Sequence, residues 1–196
     1  MATNVFLSCG GVSTEAQERF VSAVERQFEA SGLRPLTIGR NVFDHGQPLK
    51  LVDKVMRGCA GAAILAYERL HIADGKDRRG SPRERAVRDQ ATATPWNQIE
   101  AALAYSLRLP LLVIVENGLR QEGLLESGYD WRVVTLNIAE PPAQDPAFVP
   151  VFKSWRKEVR RAAWRKGLRT QFRIGERIDK KDVAAVSAAG AVRSSS

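Results

Sequence analysis

Trp96 and Glu100, within Thr94-Pro-Trp-Asn-Gln-Ile-Glu100, are the residues whose types and spacing could do chemistry. Pro95 suits a first helical turn, where its missing N–H would have no intrahelical partner. Thr94 before it fits an N-cap. Four residues apart, Trp96 and Glu100 share a face one turn into the helix. An aromatic surface thus stands beside a carboxylate near a helix start, where the dipole favours the anion. Such a pair can hold a ring and offset positive charge on a neighbouring group. The same glutamate also fits a plain helix-start acid.

The elements that must position this pair alternate in type. Val5-Phe-Leu7 reads as a buried strand opening into the loop Ser8-Cys-Gly-Gly11. Thr14 and Gln17 fit a capping box. Ala16, Phe20, Val24 and Phe28 then mark a helix to about Ala30, with Gly32 at its stop. Residues 33–38 form a second strand, at an edge because of Pro35, followed by a polar loop over 39–48. A short helix over 49–57 points Leu51, Val52, Val55 and Met56 inward. Residues 61–66 are a third strand, apolar enough to be covered on both faces. Residues 74–94 lack periodicity and carry six basic and four acidic residues up to Gln90, which predicts a long loop. In the helix that begins at Pro95, the spacing of Ile99, Leu103 and Leu107 predicts the buried stripe. Strands over 111–115 and 131–136 follow, with a short helix over 119–125 between them. Phe152, Trp155, Val159 and Ala163 line one face of a final helix whose other faces are basic.

This order predicts an α/β domain with a central parallel sheet of about five strands. Ligands in such sheets sit beyond the carboxyl ends of the strands. The loops at 8–11, 39–48, 67–94 and 116–118 should therefore share one rim with Trp96 and Glu100. The expected domains are an α/β unit over 1–145, a basic amphipathic helix over 146–172 and a flexible tail or linker over 173–196.

Charge divides the chain in the same way. Residues 1–150 hold 17 Lys and Arg against 18 Asp and Glu, a net −1; residues 151–196 hold 13 against 4, a net +9. The basic character therefore belongs to the back of the chain and says little about the front. No apolar run is long enough to span a bilayer, and the first residues do not read as a signal peptide. Cys9 and Cys59 lie far apart without metal-ligand spacing, which predicts a reducing, cytoplasmic setting and no bound metal.

Over roughly residues 4–138, the chain resembles bacterial TIR domains and, more loosely, the nucleoside deoxyribosyltransferases of flavodoxin-like architecture. Val5-Phe-Leu-Ser8, the polar loop after the second strand and above all Trp96-Asn-Gln-Ile-Glu100 carry the resemblance. The last matches the Trp-x-x-x-Glu pattern of bacterial TIR NADases, whose glutamate is catalytic. The resemblance implies a flavodoxin-like/TIR three-layer sandwich that cleaves NAD+ as a substrate, with no separate cofactor. It also implies an anti-phage effector activated by self-assembly into an oligomer or filament, with a sensor domain or nucleotide signal as partner. The long 74–94 segment departs from the pattern.

On that footing Glu100 would stabilise the oxocarbenium-like centre formed when the nicotinamide–ribose bond breaks, and would hold the ribose hydroxyls. Nicotinamide leaves well without a strong general acid, so a chain with only His45 and His71 could still be an enzyme. Trp96 or Tyr67 could stack on a ring, with Phe43 closing over it. The N–H groups of Ser8, Cys9, Gly10 and Gly11 could contact phosphate or ribose, and Arg40 the diphosphate. Each has a structural alternative: core packing for Trp96, Tyr67 and Phe43, a solvated charge for Arg40, a tight turn for the glycines. Cys9 has no histidine placed to activate it, and no Gly-Lys-Ser/Thr follows the glycine pair, so neither a thiol nucleophile nor a P-loop is expected. A deoxyribosyltransferase-like enzyme and a non-enzymatic TIR adaptor remain alternatives. Nucleic-acid binding by the basic tail is a weaker expectation than a solvated helix, and no membrane partner is expected.

Overall fold

Residues 2–43, 48–165 and 167 are described by a computed structural model. The elements follow in the order β1 (Thr3–Cys9), α1 (Glu15–Ala30), β2 (Leu33–Leu36), α2 (Pro48–Arg57), β3 (Ala62–Ala66), β4 (Leu70–Asp77), β5 (Arg85–Thr92), α3 (Pro95–Ser106), β6 (Leu111–Glu116), β7 (Arg132–Leu136) and α4 (Phe148–Arg165). Five strands form one parallel sheet in the order β2-β1-β3-β6-β7. Helices cover both faces, which makes the chain a flavodoxin-like/TIR three-layer sandwich. The predicted tail lies outside the described residues, as do His45 and the rest of 44–47 in the loop after β2.

Alternation along β1 feeds two separate cores. Val5 and Leu7 join α1 and α4 through Phe20, Val24, Phe28, Phe152 and Trp155. Phe6, one pleat over, joins α2 and α3 through Val52, Met56, Ala101 and Ala104. β3 and β6 are buried on both sides, as interior parallel strands are. Local signals hold α1 where expected. Thr14 accepts from the Gln17 amide at 3.2 Å, and Gly32 takes φ +76° past the helix end.

α4 is built into the sheet rather than appended to it. Trp155 is fully buried, and its indole N–H donates to the Pro110 carbonyl at 2.9 Å. Gly61, just before β3, explains the close approach. A Cβ there would meet Val159 Cγ2 at 2.5 Å, so only glycine fits beneath α4.

Three expectations need correction. The predicted 74–94 loop is instead an antiparallel hairpin, β4 with β5, pairing Leu70 with Thr92 through to Asp77 with Arg85. Both of its faces are largely exposed, so no apolar alternation marks it. Ion pairs do: Lys76 to Glu84 at 2.6 Å, Arg85 to Asp77 at 2.8 Å, and Arg120 from outside the hairpin to Asp77 at 3.2 Å. The second failure is the buried face of α3. It is Asn97, Ala101 and Ala104, while Ile99 is exposed and Leu103 and Leu107 are only partly buried. Small side chains let the helix axis approach the strands, and the larger leucines fill the margin of the second core. Of the short helix expected over 119–125, only a single 3-10 turn forms, at Gly123–Leu125.

Candidate functional site

In the order β2-β1-β3, the chain leaves β1 toward one edge and returns at β3 toward the other. The carboxyl ends of β1 and β3 thus flank the switch point where such sheets bind ligands. Ser8 is the last residue of β1 to face α3. Its hydroxyl donates to the Glu100 carboxylate, 92 positions away in sequence. Thr94 caps α3 through the Trp96 amide at 3.4 Å, setting the start of the helix. From there Asn97, 1% exposed, turns inward. Its side-chain amide donates to Ser8 Oγ and to the Leu65 carbonyl of β3, each at 3.2 Å. Asn97 therefore locks three elements at one point: β1, β3 and the helix that carries Glu100.

This pattern was only half visible in the sequence. Asn97 stood inside the motif without a role. The signal that could have found it is its spacing with Ala101 and Ala104, a small, polar-headed stripe at helical period.

Glu100 is half-buried, and burial raises its pKa above the ordinary value; the Ser8 hydrogen bond works against that rise. The dipole-favoured anion expected from the sequence is corrected here. Glu100 lies beyond the first turn of α3, which holds no acidic residue, so desolvation outweighs the dipole. Trp96, one turn before Glu100 on the same helix, is 43% exposed.

The other expected residues divide by depth. Tyr67 is buried at 3% exposure, and its hydroxyl donates to the Gly10 carbonyl. Its ring is thus packed, not offered for stacking, and braces the loop after β1. Gly10 is needed close by, since a Cβ there would lie 3.1 Å from Thr94 Cγ2. Gly11 faces open space, and its φ is not in the left-handed region. Cys9 points to the α1 side of the sheet, and burial pushes its thiol pKa up to about 12, leaving it protonated and a poor nucleophile. Gln17 ties this side down. It accepts from the Ser13 amide at 2.8 Å and donates to the Glu68 carbonyl at 2.9 Å. The Glu68 amide donates in turn to Glu116 at 2.7 Å, joining the ends of β3 and β6.

Arg40 lies near enough to Cys9 to lower its thiol pKa, so it belongs to the same rim. Its guanidinium is already engaged, bidentate to Glu18 at 2.9 and 2.8 Å and to Glu25 at 3.2 Å. A diphosphate would have to compete with two carboxylates there. Phe43 is 58% exposed on the loop after β2.

Comparisons with protein-family profiles and with curated protein sequences find no match. Comparison of folds finds distant neighbours. A CMP N-glycosidase of Clostridium botulinum shares 11% identity at a TM-score of 0.42, over 78% of this chain and 98% of its own. The TIR domains of the activated Roq1 resistosome share 11% at 0.39, over 92% and 94%. A conserved protein of Enterococcus faecalis shares 12% at 0.37, over 84% and 99%. Similarities this distant do not say what the site binds. No helix among the described residues is long and apolar enough to cross a membrane.

Proposed function

We propose that the Ser8–Asn97–Glu100 site cleaves the nicotinamide–ribose bond of NAD+. One observation carries this reading: a half-buried carboxylate, held by a strand-end hydroxyl, at the switch point of a parallel sheet. The Trp96-x-x-x-Glu100 resemblance supports it. In this reading the C1′–N bond breaks, and its electron pair leaves with nicotinamide. The ionised Glu100 offsets the positive charge left on the ribose. Water adds to C1′ and releases a proton, giving ADP-ribose. Trp96 supplies a stacking surface, Asn97 and Ser8 aim the carboxylate, and Arg40 braces the rim. The same resemblance supports an effector of anti-phage defence that is switched on by self-assembly.

The test is nicotinamide release by the full chain over a range of protein concentrations, read by chromatography. Glu100→Gln should reduce the rate on the order of 100-fold or more while leaving the fold intact. Because Glu100 must be ionised, the wild-type rate should rise with pH across a window above the ordinary glutamate value. Ser8→Ala removes the interaction that lowers this pKa and should move that limb further up. NAD+ left intact at every concentration, with ribonucleosides and deoxynucleosides that do lose their bases, would reassign the substrate. Inertness toward the whole panel would overturn the enzyme reading.

A further inference from the structure

α4 spends its apolar face on the sheet. Phe148, Phe152, Trp155, Val159 and Ala163 are all buried there. The opposite face presents a shallow groove lined by Lys153, Arg156, Lys157, Arg160, Arg161 and Trp164. These residues form two rows at helical spacing, 153-157-161 and 156-160-164. Each step rises about 6 Å, and the whole patch runs about 16 Å along the axis. Trp164 closes one row and is 81% exposed, the barest of the large apolar side chains described. Among the described residues, no carboxylate forms an ion pair with Lys153, Arg156, Lys157 or Arg161. Arg132 occupies the one acid of the helix, Glu158, at 2.9 Å. Arg160 donates to the Ser31 carbonyl at 3.3 Å, a neutral acceptor.

We infer that this face of α4 binds a nucleic-acid strand through its phosphates, with Trp164 stacking on a base. A cationic row with no carboxylate partner among the described residues matches a regular polyanion, and an exposed tryptophan at its end adds a sequence-tolerant stacking platform. A bilayer fits less well, because the apolar face that an interfacial helix would insert is already buried in the core. An acidic protein fits less well too, because the centre of a protein interface is depleted of charged residues, whereas every residue lining this groove but Trp164 is a lysine or arginine. The surface lies on the outer side of the α1/α4 layer, away from Glu100, so the inference stands independently of the proposed glycosidic cleavage.

The experiment is fluorescence anisotropy of labelled mixed-sequence single-stranded RNA and DNA oligonucleotides with the full chain, titrated at several salt concentrations. Saturable binding is expected, with log K falling against log salt at a slope of about −3 for four phosphate contacts. The triple change Lys153→Glu, Lys157→Glu, Arg161→Glu is expected to weaken binding at least tenfold, because all three residues are exposed and peripheral to the core. Trp164→Ala is expected to weaken it about fivefold, the lower end of the measured worth of one base stack. A control of equal charge change, Lys50→Glu, Arg79→Glu, Arg83→Glu, is expected to bind much more tightly than the α4 triple variant. Three results would overturn the inference: no saturable binding at low salt, equal losses in both triple variants, or retention only on vesicles containing anionic phosphatidylglycerol.

Discussion

On one side of the sheet, α1 and α4 bring together Phe28, Phe148, Phe152 and Trp155, with ring centroids 5.2 to 5.9 Å apart. On the other, α3 lays Asn97, Ala101 and Ala104 against the strands and stands Glu100 over the end of β1. The aromatic side buries large apolar area, and its half-buried carboxylate, Glu25, is paired with Arg40. The α3 side gives up that area for close approach, and uses it to hold a polar triad in a fixed place. Burying Glu100 is unfavourable for its charged form, so the α3 side carries a local instability that the aromatic side must offset.

The sharpest way to break this contrast is Trp155→Ala. It removes a fully buried ring and its bond to Pro110, and should lower unfolding free energy by about 3–5 kcal/mol in a denaturant titration. The folded fraction should keep its activity per molecule, since Trp155 lies far from the Ser8–Glu100 contact in the layer order. Ala104→Leu attacks the other side. Overpacking should cost about 1–3 kcal/mol, but the larger loss should be in turnover, because α3 must move out and take Glu100 away from Ser8. Equal retention of turnover in both variants would show that the two sides do not differ in this way.

The smallest effect has the opposite sign. The folded-state pKa of Glu100 lies above its unfolded value, so the folded chain holds the proton more tightly. Its contribution to stability is fully present below the unfolded value and is lost as pH rises through the folded one. Glu100→Gln should therefore be more stable than wild type at neutral pH, and the gain should shrink toward zero as pH falls below the ordinary glutamate range. Melting curves at neutral and acidic pH read this directly. An unchanged or lower melting temperature at neutral pH would mean that Glu100 is not held against a desolvation cost.

The order of the five sheet strands and the four helices around them was legible from residue patterns alone, because buried parallel strands and amphipathic helices each impose a period on apolar side chains. The Thr14 and Thr94 caps, the stop at Gly32 and the buried face of α4 were read from the same local chemistry. So was the place of Glu100 on a helix beside the strand-end rim. Three features depended on tertiary contacts. The β4–β5 hairpin has no buried face, so its backbone ladder leaves no apolar period, and its charges, paired across the strands, read as loop from composition alone. The turn of α3 about its axis was set by a polar demand, Asn97 reaching Ser8 and Leu65, against the larger apolar stripe. The fate of Tyr67, as a brace for Gly10, followed from depth. Sequence spacing determines which side chains share a face, but whether that face meets a strand, a neighbour or water is settled by partners distant in the chain, and so is the charge state of an acid placed there.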